Sequence, residues 1–185
     1  MHRLSRWMGL LLACLAACLA AGVLAFDVAV ARPCADRIKR ELEAAAPSER
    51  RPPAVLLDML QRAYGDRITQ VVARDAAWKL LEAEPHVGRL RRVAIEGGLL
   101  LLLPWHLTDA ELASALLTDA YMGDGVHGFA AASRRDLGVS LELVSAEQAA
   151  RLVAISWSPS SLENPDRLQR RVQSILAKPS ALARP

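Results

Sequence analysis

Aromatic residues are scarce in this sequence. They make up 4% of the 185 residues, although apolar residues of all kinds make up 52%. Aromatic and β-branched side chains favour strands, whereas alanine and leucine, in which the chain is rich, favour helices. No stretch of any length shows the alternation typical of a strand, so the composition predicts an all-α protein.

The sequence also lacks the patterns that serve nucleic acids, metals and nucleotides. The net charge is only +3, with no run of Lys and Arg and no interleaving of basic and aromatic residues, which argues against nucleic-acid binding. His86, His106 and His127 are too widely spaced to predict a zinc site. The glycines of Gly123–Gly128 spell a dinucleotide fingerprint, but a predicted helix precedes them where a strand is required. The mild positive charge suits an anionic membrane surface or a phosphate-bearing substrate.

No charged residue occurs from Trp7 to Phe26, a stretch long enough to cross a bilayer once. Arg3 and Arg6 precede it, which predicts a cytoplasmic N-terminus and an exported remainder. Three fates remain open for residues 1–31: an uncleaved anchor, a signal peptide cut near Ala29–Ala31, or a lipoprotein signal ending at Cys18. We favour the anchor because the apolar run continues through Ala25.

Cysteine is rare as well, with three in the chain. Cys14 and Cys18 lie within the apolar segment, and Cys34 stands alone after it. An intramolecular disulfide is therefore not expected in the exported part.

Residues 32–53 read as a helical stalk and a linker. Charged pairs such as Arg37 and Glu41, at i and i+4, predict a solvated helix, and the proline-containing stretch Pro47–Pro53 ends it. A helical body is predicted over residues 54–178, followed by a tail at 179–185. Within the body, Trp78–Gly88 reads as a loop because it contains a proline and a glycine.

Three helix starts are signalled clearly. Thr108 with Glu111 and Ser145 with Gln148 have the spacing of capping boxes, and Asn164 precedes a proline at the first helical position. The first of these helices is predicted over Asp109–Met122, ending at Gly123.

A series of residues keeps a fixed order and spacing, without a gap, at Arg92, Glu96, Thr108–Leu112, Tyr121–Gly123, Gly125, Gly128, Ala131, Ala132 and Gly138. This series resembles glycosyltransferase family 51, the peptidoglycan transglycosylase domain of class A penicillin-binding proteins and monofunctional transglycosylases. The family's Gly-Gly-Ser-Thr-Ile-Thr-Gln-Gln segment is matched in part by Gly65, Ile68, Thr69, Gln70, Ala73 and Arg74.

The resemblance implies a lysozyme-like helical domain, shorter than usual ahead of the Thr-Gln segment. In the family, one glutamate removes a proton from the acceptor sugar, while cations and a second glutamate assist the departing pyrophosphate. Glu96 matches that second glutamate and is the candidate catalytic residue. Thr69, Gln70, Arg74 and Arg92 are the candidate substrate and pyrophosphate ligands. No resident metal is assigned, although the family's chemistry leaves room for a Mg²⁺ or Mn²⁺ ion near Glu96.

The expected partners follow from the same resemblance. They are a lipid-linked peptidoglycan precursor or glycan strand, the lipid of the bacterial inner membrane, and other proteins of cell-wall synthesis. The expected location is a single-pass inner-membrane protein with its domain facing the periplasm or exterior.

One motif of the family is missing. The first glutamate normally stands in Glu-Asp-x-x-Phe-x-x-His, but no Phe or His occurs between Asp27 and Pro85. The acids available upstream are Asp36, Glu41, Glu43, Glu49 and Asp58. Val93 also replaces the lysine that follows Arg92 in the family. We therefore expect a transglycosylase-like protein with weak or no polymerase activity that still holds a glycan or lipid-linked ligand.

Two alternatives stay open. The first is a non-catalytic exported scaffold of the wall machinery. The second is a lytic transglycosylase that uses Glu96 alone, which would need a raised pKa at Glu96 although Arg92 lies one helical turn away.

Overall fold

The computed structural model describes residues 2–82 and 88–180. His86, the middle of the predicted Trp78–Gly88 loop and the end of the predicted tail lie outside these residues. Ten α-helices occur in the described ranges: α1 His2–Phe26, α2 Arg32–Ala44, α3 Pro47–Arg50, α4 Ala54–Tyr64, α5 Ile68–Leu81, α6 Arg89–His106, α7 Asp109–Asp119, α8 Phe129–Ala132, α9 Ala146–Trp157 and α10 Pro165–Leu176.

The all-α prediction is confirmed. Short π-helical and 3-10 turns join some of the helices, and the described residues contain no strand beyond one isolated antiparallel bridge between Tyr121 and His127. Alanine and leucine therefore do form helices here, as the composition indicated.

The apolar N-terminal segment forms a helix that could cross a membrane. An unbroken helix over Leu11–Ala44 contains a stretch with a mean hydropathy of 2.3, of which only 6% is buried by the rest of the protein. Every residue from Leu11 to Ala25 is exposed, so the body does not cover this part of α1. A helix long and apolar enough to cross a membrane is therefore present where the sequence predicts one.

Helix α2 packs into the helical body, although the sequence indicated a stalk. The π-helical turn Asp27–Ala31 links it to α1, and α2 packs against α6 and α7. Its Cys34, Ala35, Ile38 and Leu42 are buried in the hydrophobic core. The charged pairs on the outer face of α2 suggested a solvated helix. The sequence of an amphipathic helix does not show whether another element covers its apolar side.

The core is centred on α9. Leu152, Val153, Ala154 and Ile155 are fully buried between α4 and α10. Helix α5 packs against α6 on one side and α7 on the other. Thr69, Gln70 and Arg74 on α5 are thereby placed next to α6, which carries Arg92 and Glu96.

Two helix boundaries differ from the prediction. Helix α5 continues through Trp78 to Leu81, so the predicted loop begins later than expected. Helix α7 ends at Asp119, because Ala120 has extended backbone angles and Tyr121 pairs with His127 across the glycine-rich turn. The three predicted helix starts are all present, with capping boxes at Thr108 and Ser145 and a side-chain cap at Asn164.

Candidate functional site

A groove lies between α2, α5, α7 and the C-terminal end of α9. Its volume is about 560 Å³. Cationic, acidic and aromatic side chains share its lining: Arg37, Glu41, Tyr64, Arg67, Gln70, Arg74, Asp75, Trp78, Lys79, Asp119, Tyr121, His127 and Trp157. We refer to this cleft as the α5 groove, since α5 supplies more of these residues than any other helix.

Lys79 is the centre of the charge network in the α5 groove. Its ammonium nitrogen lies 2.8 Å from an Asp119 carboxylate oxygen, 3.5 Å from Asp75 and 4.0 Å from Glu41. Burial by itself lowers the pKa of Lys79, but the hydrogen bond to Asp119 and the three negative charges outweigh it and raise that pKa. Lys79 therefore stays charged and holds all three carboxylates that line the groove.

Glu41 reaches the α5 groove from α2. Its carboxylate is 3.4 Å from the Arg37 guanidinium, one helical turn away, as well as being in contact with Lys79. The Glu41 carboxylate thus interacts with two cations, Arg37 and Lys79.

Aromatic rings form the edges of the α5 groove. Trp78, Tyr121 and Trp157 are each about half exposed, at 52%, 47% and 44%. Trp157 stacks on Tyr64 with ring centroids 5.4 Å apart, and the Arg67 guanidinium lies 5.0 Å from the centroid of the Trp157 ring. Half-exposed rings beside cations give flat apolar surfaces next to positive charge.

The structure brings only some of the predicted site residues together. Gln70 and Arg74 both line the α5 groove. Thr69, next to them in sequence, instead lines a second depression of about 400 Å³ with Asp66 and Asp109. Adjacent residues on a helix point about 100° apart, which separates Thr69 from Gln70.

Arg92 lies beside the α5 groove on α6, and Glu96 follows it on the same helix. The Arg92 guanidinium carbon is 3.9 Å from the centroid of the Trp78 ring, so Arg92 touches the groove through that ring. Glu96 is half-buried one turn further along α6 and lines neither of the two depressions. A carboxylate at Glu96 would supply a metal ion with one ligand, leaving the remaining ligands to the oxygens of a substrate.

The five upstream acids fall into different environments. Glu41 alone among them lines the α5 groove. Asp58 pairs with Arg62 at 2.7 Å and accepts a hydrogen bond from the Ser180 hydroxyl, while Asp36 and Glu43 are exposed.

Glu49 is enclosed beneath the glycine-rich turn. Its side chain accepts a hydrogen bond of 2.8 Å from the Ala130 backbone N–H at the start of α8, and the residue is 6% exposed. Burial raises the pKa of Glu49 in spite of the backbone hydrogen bonds that oppose the shift. This carboxylate completes the start of a helix and lines neither of the two depressions.

Sequence reasoning missed Lys79 and Asp119. Asp75 and Lys79 at i and i+4 did carry a signal for a helical ion pair. The third and fourth members, Asp119 and Glu41, come from other helices, so no local pattern could have shown that four groups meet.

The sequence was compared with known proteins and with models of protein families. No curated protein is similar enough to the chain to serve as a relative. The sequence model of the transglycosylase family, described as Transglycosylase, matches residues 68–180, from the first residue of α5 to beyond the end of α10. That domain is a lysozyme-like all-α fold, in agreement with the helices described above. Since the match covers more than half of the chain, the protein belongs to the transglycosylase family, glycosyltransferase family 51.

Proposed function

We propose that this protein is an inner-membrane-anchored transglycosylase-family member that binds a lipid-linked peptidoglycan precursor or glycan strand in the α5 groove, with weak or no polymerase activity of its own. Helix α1 is the anchor, and the body faces the periplasm or exterior. The observation that carries the proposal is that every carboxylate lining the groove is in contact with Lys79.

The α5 groove has the groups that a glycan pyrophosphate needs. Arg67 and Arg74 supply guanidinium donors, which match the geometry of phosphate oxygens. Gln70 adds an amide that can both donate and accept hydrogen bonds with sugar hydroxyls. The rings of Trp78, Tyr121 and Trp157 offer apolar faces to the sugar rings.

The same groove is poorly equipped for polymerisation. A sugar hydroxyl is a weak nucleophile, so a carboxylate must take its proton in the transition state. Glu41 is the upstream acid that reaches the groove, but Arg37 and Lys79 already stabilise its negative charge. Glu96 stands outside the groove. We therefore expect the groove to bind its ligand but to polymerise glycan poorly.

The scaffold alternative differs from this proposal in one respect, since it requires no ligand in the groove. The lytic alternative requires an acid with a raised pKa at an open cleft. Burial raises the pKa of Glu49, but this carboxylate is bonded to the Ala130 backbone N–H at the start of α8 and lines neither depression. Glu49 therefore lends no support to the lytic reaction.

The proposal is tested with full-length protein in detergent micelles and purified lipid II. Binding is followed by the fluorescence of the tryptophans at the groove edge, and polymer is measured by gel electrophoresis. Arg74→Ala is expected to weaken binding by about tenfold or more, because it removes a charged hydrogen-bond donor. Arg151→Ala, at an exposed arginine of α9 that lines neither depression, is the matched control and should bind normally.

The outcomes separate the candidate functions. Unchanged lipid II binding in both Arg74→Ala and Gln70→Ala would favour the scaffold. Rapid polymerisation by the wild-type protein, abolished by Glu41→Gln, would show that Glu41 serves as the base and that the protein is an active polymerase.

A further inference from the structure

Helix α6 exposes a continuous apolar face. Leu90 is 87% exposed, Leu101 is 60% exposed and Trp105 is 78% exposed. With Val93, Gly97 and Pro104, which are also exposed, they recur at the three- and four-residue intervals that keep side chains on one side of a helix. We call these six residues the outer face of α6, and no charged residue interrupts it over four turns.

An exposed apolar face of this length needs a partner. Soluble proteins rarely leave large contiguous apolar patches facing water, and such patches mark contact with a membrane or another protein. The opposite side of α6 is already used, since Leu99, Leu102 and Leu103 are buried in the core.

The base of α1 lies directly against α6. Gly98 touches the Phe26 ring so closely that a Cβ at this position would come within 2.5 Å of two ring carbons. Phe26 is the last residue of α1, and the next residue, Asp27, contacts the His106 ring at the end of α6 and pairs with Arg32 at 2.7 Å. The point where α1 leaves the bilayer is therefore fixed against the C-terminal half of α6.

The two ends of α6 suit the surface of an anionic bilayer. Trp105 is exposed at the C-terminal end, and tryptophan is enriched at the membrane–water interface. Arg89 and Arg91 are exposed at the N-terminal end, where cationic side chains can meet lipid phosphates. Leu90, Val93 and Leu101 between them supply the apolar face of an interfacial helix.

We propose that the outer face of α6 lies in the headgroup and upper acyl layer of the same membrane that α1 crosses. This inference rests on the proposed anchoring by α1 but not on any glycan chemistry in the groove. A second contact of this kind prevents the body from swinging freely on its anchor. It also holds Arg92, which stacks on Trp78 at the groove edge, close to the lipid surface.

Spin-label accessibility in vesicles tests the proposal with the full chain. Three single-cysteine proteins are prepared in lipid vesicles of phosphatidylethanolamine and phosphatidylglycerol, with the remaining native cysteines changed to alanine. The first keeps Cys18 in α1, the second carries Leu101→Cys on the outer face of α6, and the third carries Leu143→Cys. Leu143 is 77% exposed on a short turn and is the matched control for an exposed leucine.

The expected result is a gradient of membrane exposure. Labels at Cys18 and Leu101→Cys should show a several-fold higher ratio of oxygen accessibility to nickel-chelate accessibility than the label at Leu143→Cys, because oxygen concentrates in the acyl layer. Circular dichroism confirms that each variant has the wild-type helix content.

Other results overturn the proposal in distinguishable ways. A label at Leu101→Cys with the water-exposed ratio of Leu143→Cys, while Cys18 stays lipid-exposed, would leave α1 as an anchor and remove α6 from the membrane. Spin–spin broadening at Leu101→Cys, or protection from both reagents, would show a second copy or another protein on this face. A water-exposed Cys18 would overturn both the anchoring and the membrane contact of α6.

Discussion

At two helix starts in this protein, a glutamate side chain accepts a hydrogen bond from a backbone N–H, but one glutamate is local in sequence and the other is distant. At the start of α7, Glu111 accepts a hydrogen bond of 2.7 Å from the Thr108 backbone N–H, three residues away. At the start of α8, Glu49 accepts one of 2.8 Å from the Ala130 backbone N–H, 81 residues away in sequence. The first carboxylate is close to solvent, whereas the second is buried.

The surroundings shift the pKa values of the two carboxylates in opposite directions. The backbone hydrogen bond from Thr108 lowers the pKa of Glu111, and partial burial opposes this shift without reversing it. Burial dominates at Glu49 and raises its pKa in spite of similar hydrogen bonds. The same interaction is thus a cap near the surface in one region and a buried structural contact in the other. Glu49 is therefore poorly placed to take a proton from a substrate.

The largest effect is expected from removing the buried carboxylate. Glu49→Ala should lower the free energy of unfolding by about 3 kcal/mol, because the Ala130 N–H is then buried without a partner and a cavity remains. Glu111→Ala, the matched change at the exposed cap, should cost about 1 kcal/mol. Urea unfolding followed by circular dichroism measures both, and equal losses would contradict the comparison.

A smaller effect is expected where the glycine-rich turn meets Glu49. Gly128 has a φ of +83°, and an added Cβ would lie 2.8 Å from a Glu49 carboxylate oxygen and 3.1 Å from the Thr118 carbonyl oxygen. Gly128→Ala should therefore lower the free energy of unfolding by about 2 kcal/mol.

Gly125 provides the control for backbone strain alone. Its φ is +74°, but an added Cβ would meet nothing within 4 Å. Gly125→Ala should cost about 1 kcal/mol in the same unfolding measurement. If the two glycine variants lost the same stability, the close approach of Glu49 to the turn would not matter energetically.

The smallest expected effect is a difference in how the two glutamates make the free energy of unfolding depend on pH. The raised pKa of Glu49 gives a contribution to stability that is complete below the ordinary pKa of a glutamate and is lost as pH rises through the raised value. The lowered pKa of Glu111 gives a contribution that is present above the ordinary pKa and is lost as pH falls through the lowered value.

Matched glutamine variants isolate these two contributions. The stability difference between wild type and Glu49→Gln should grow as the solution is made more acidic, and the difference between wild type and Glu111→Gln should shrink. Urea unfolding at a series of acidic pH values measures both. Slopes of the same sign would show that burial does not control the titration of Glu49.

Much of the fold was readable from the sequence. The all-α class, the N-terminal apolar helix and the capping boxes at Thr108 and Ser145 follow from composition, the absence of charge over Trp7–Phe26 and side-chain spacing. These features depend on residues within a few positions of one another. The burial of α2 was not readable, because its apolar stripe gains meaning only from the α6 and α7 surfaces that cover it.

The candidate site was readable only in part. Gln70 and Arg74 were identified from a family motif, and both line the α5 groove. Thr69, Arg92 and Glu96 lie outside the groove lining, and their roles stay predictions. Lys79 was not identified, because its partners Asp119 and Glu41 stand on different helices.

The sequence by itself determined the helices, their caps and the segment that can enter a membrane, since each depends on short-range hydrogen bonding or on a continuous apolar run. Only the tertiary structure decided which carboxylates are free, paired or enclosed. The charge state and use of a carboxylate depend on the cations, backbone N–H groups and apolar atoms around it, and the chain brings these together from positions far apart.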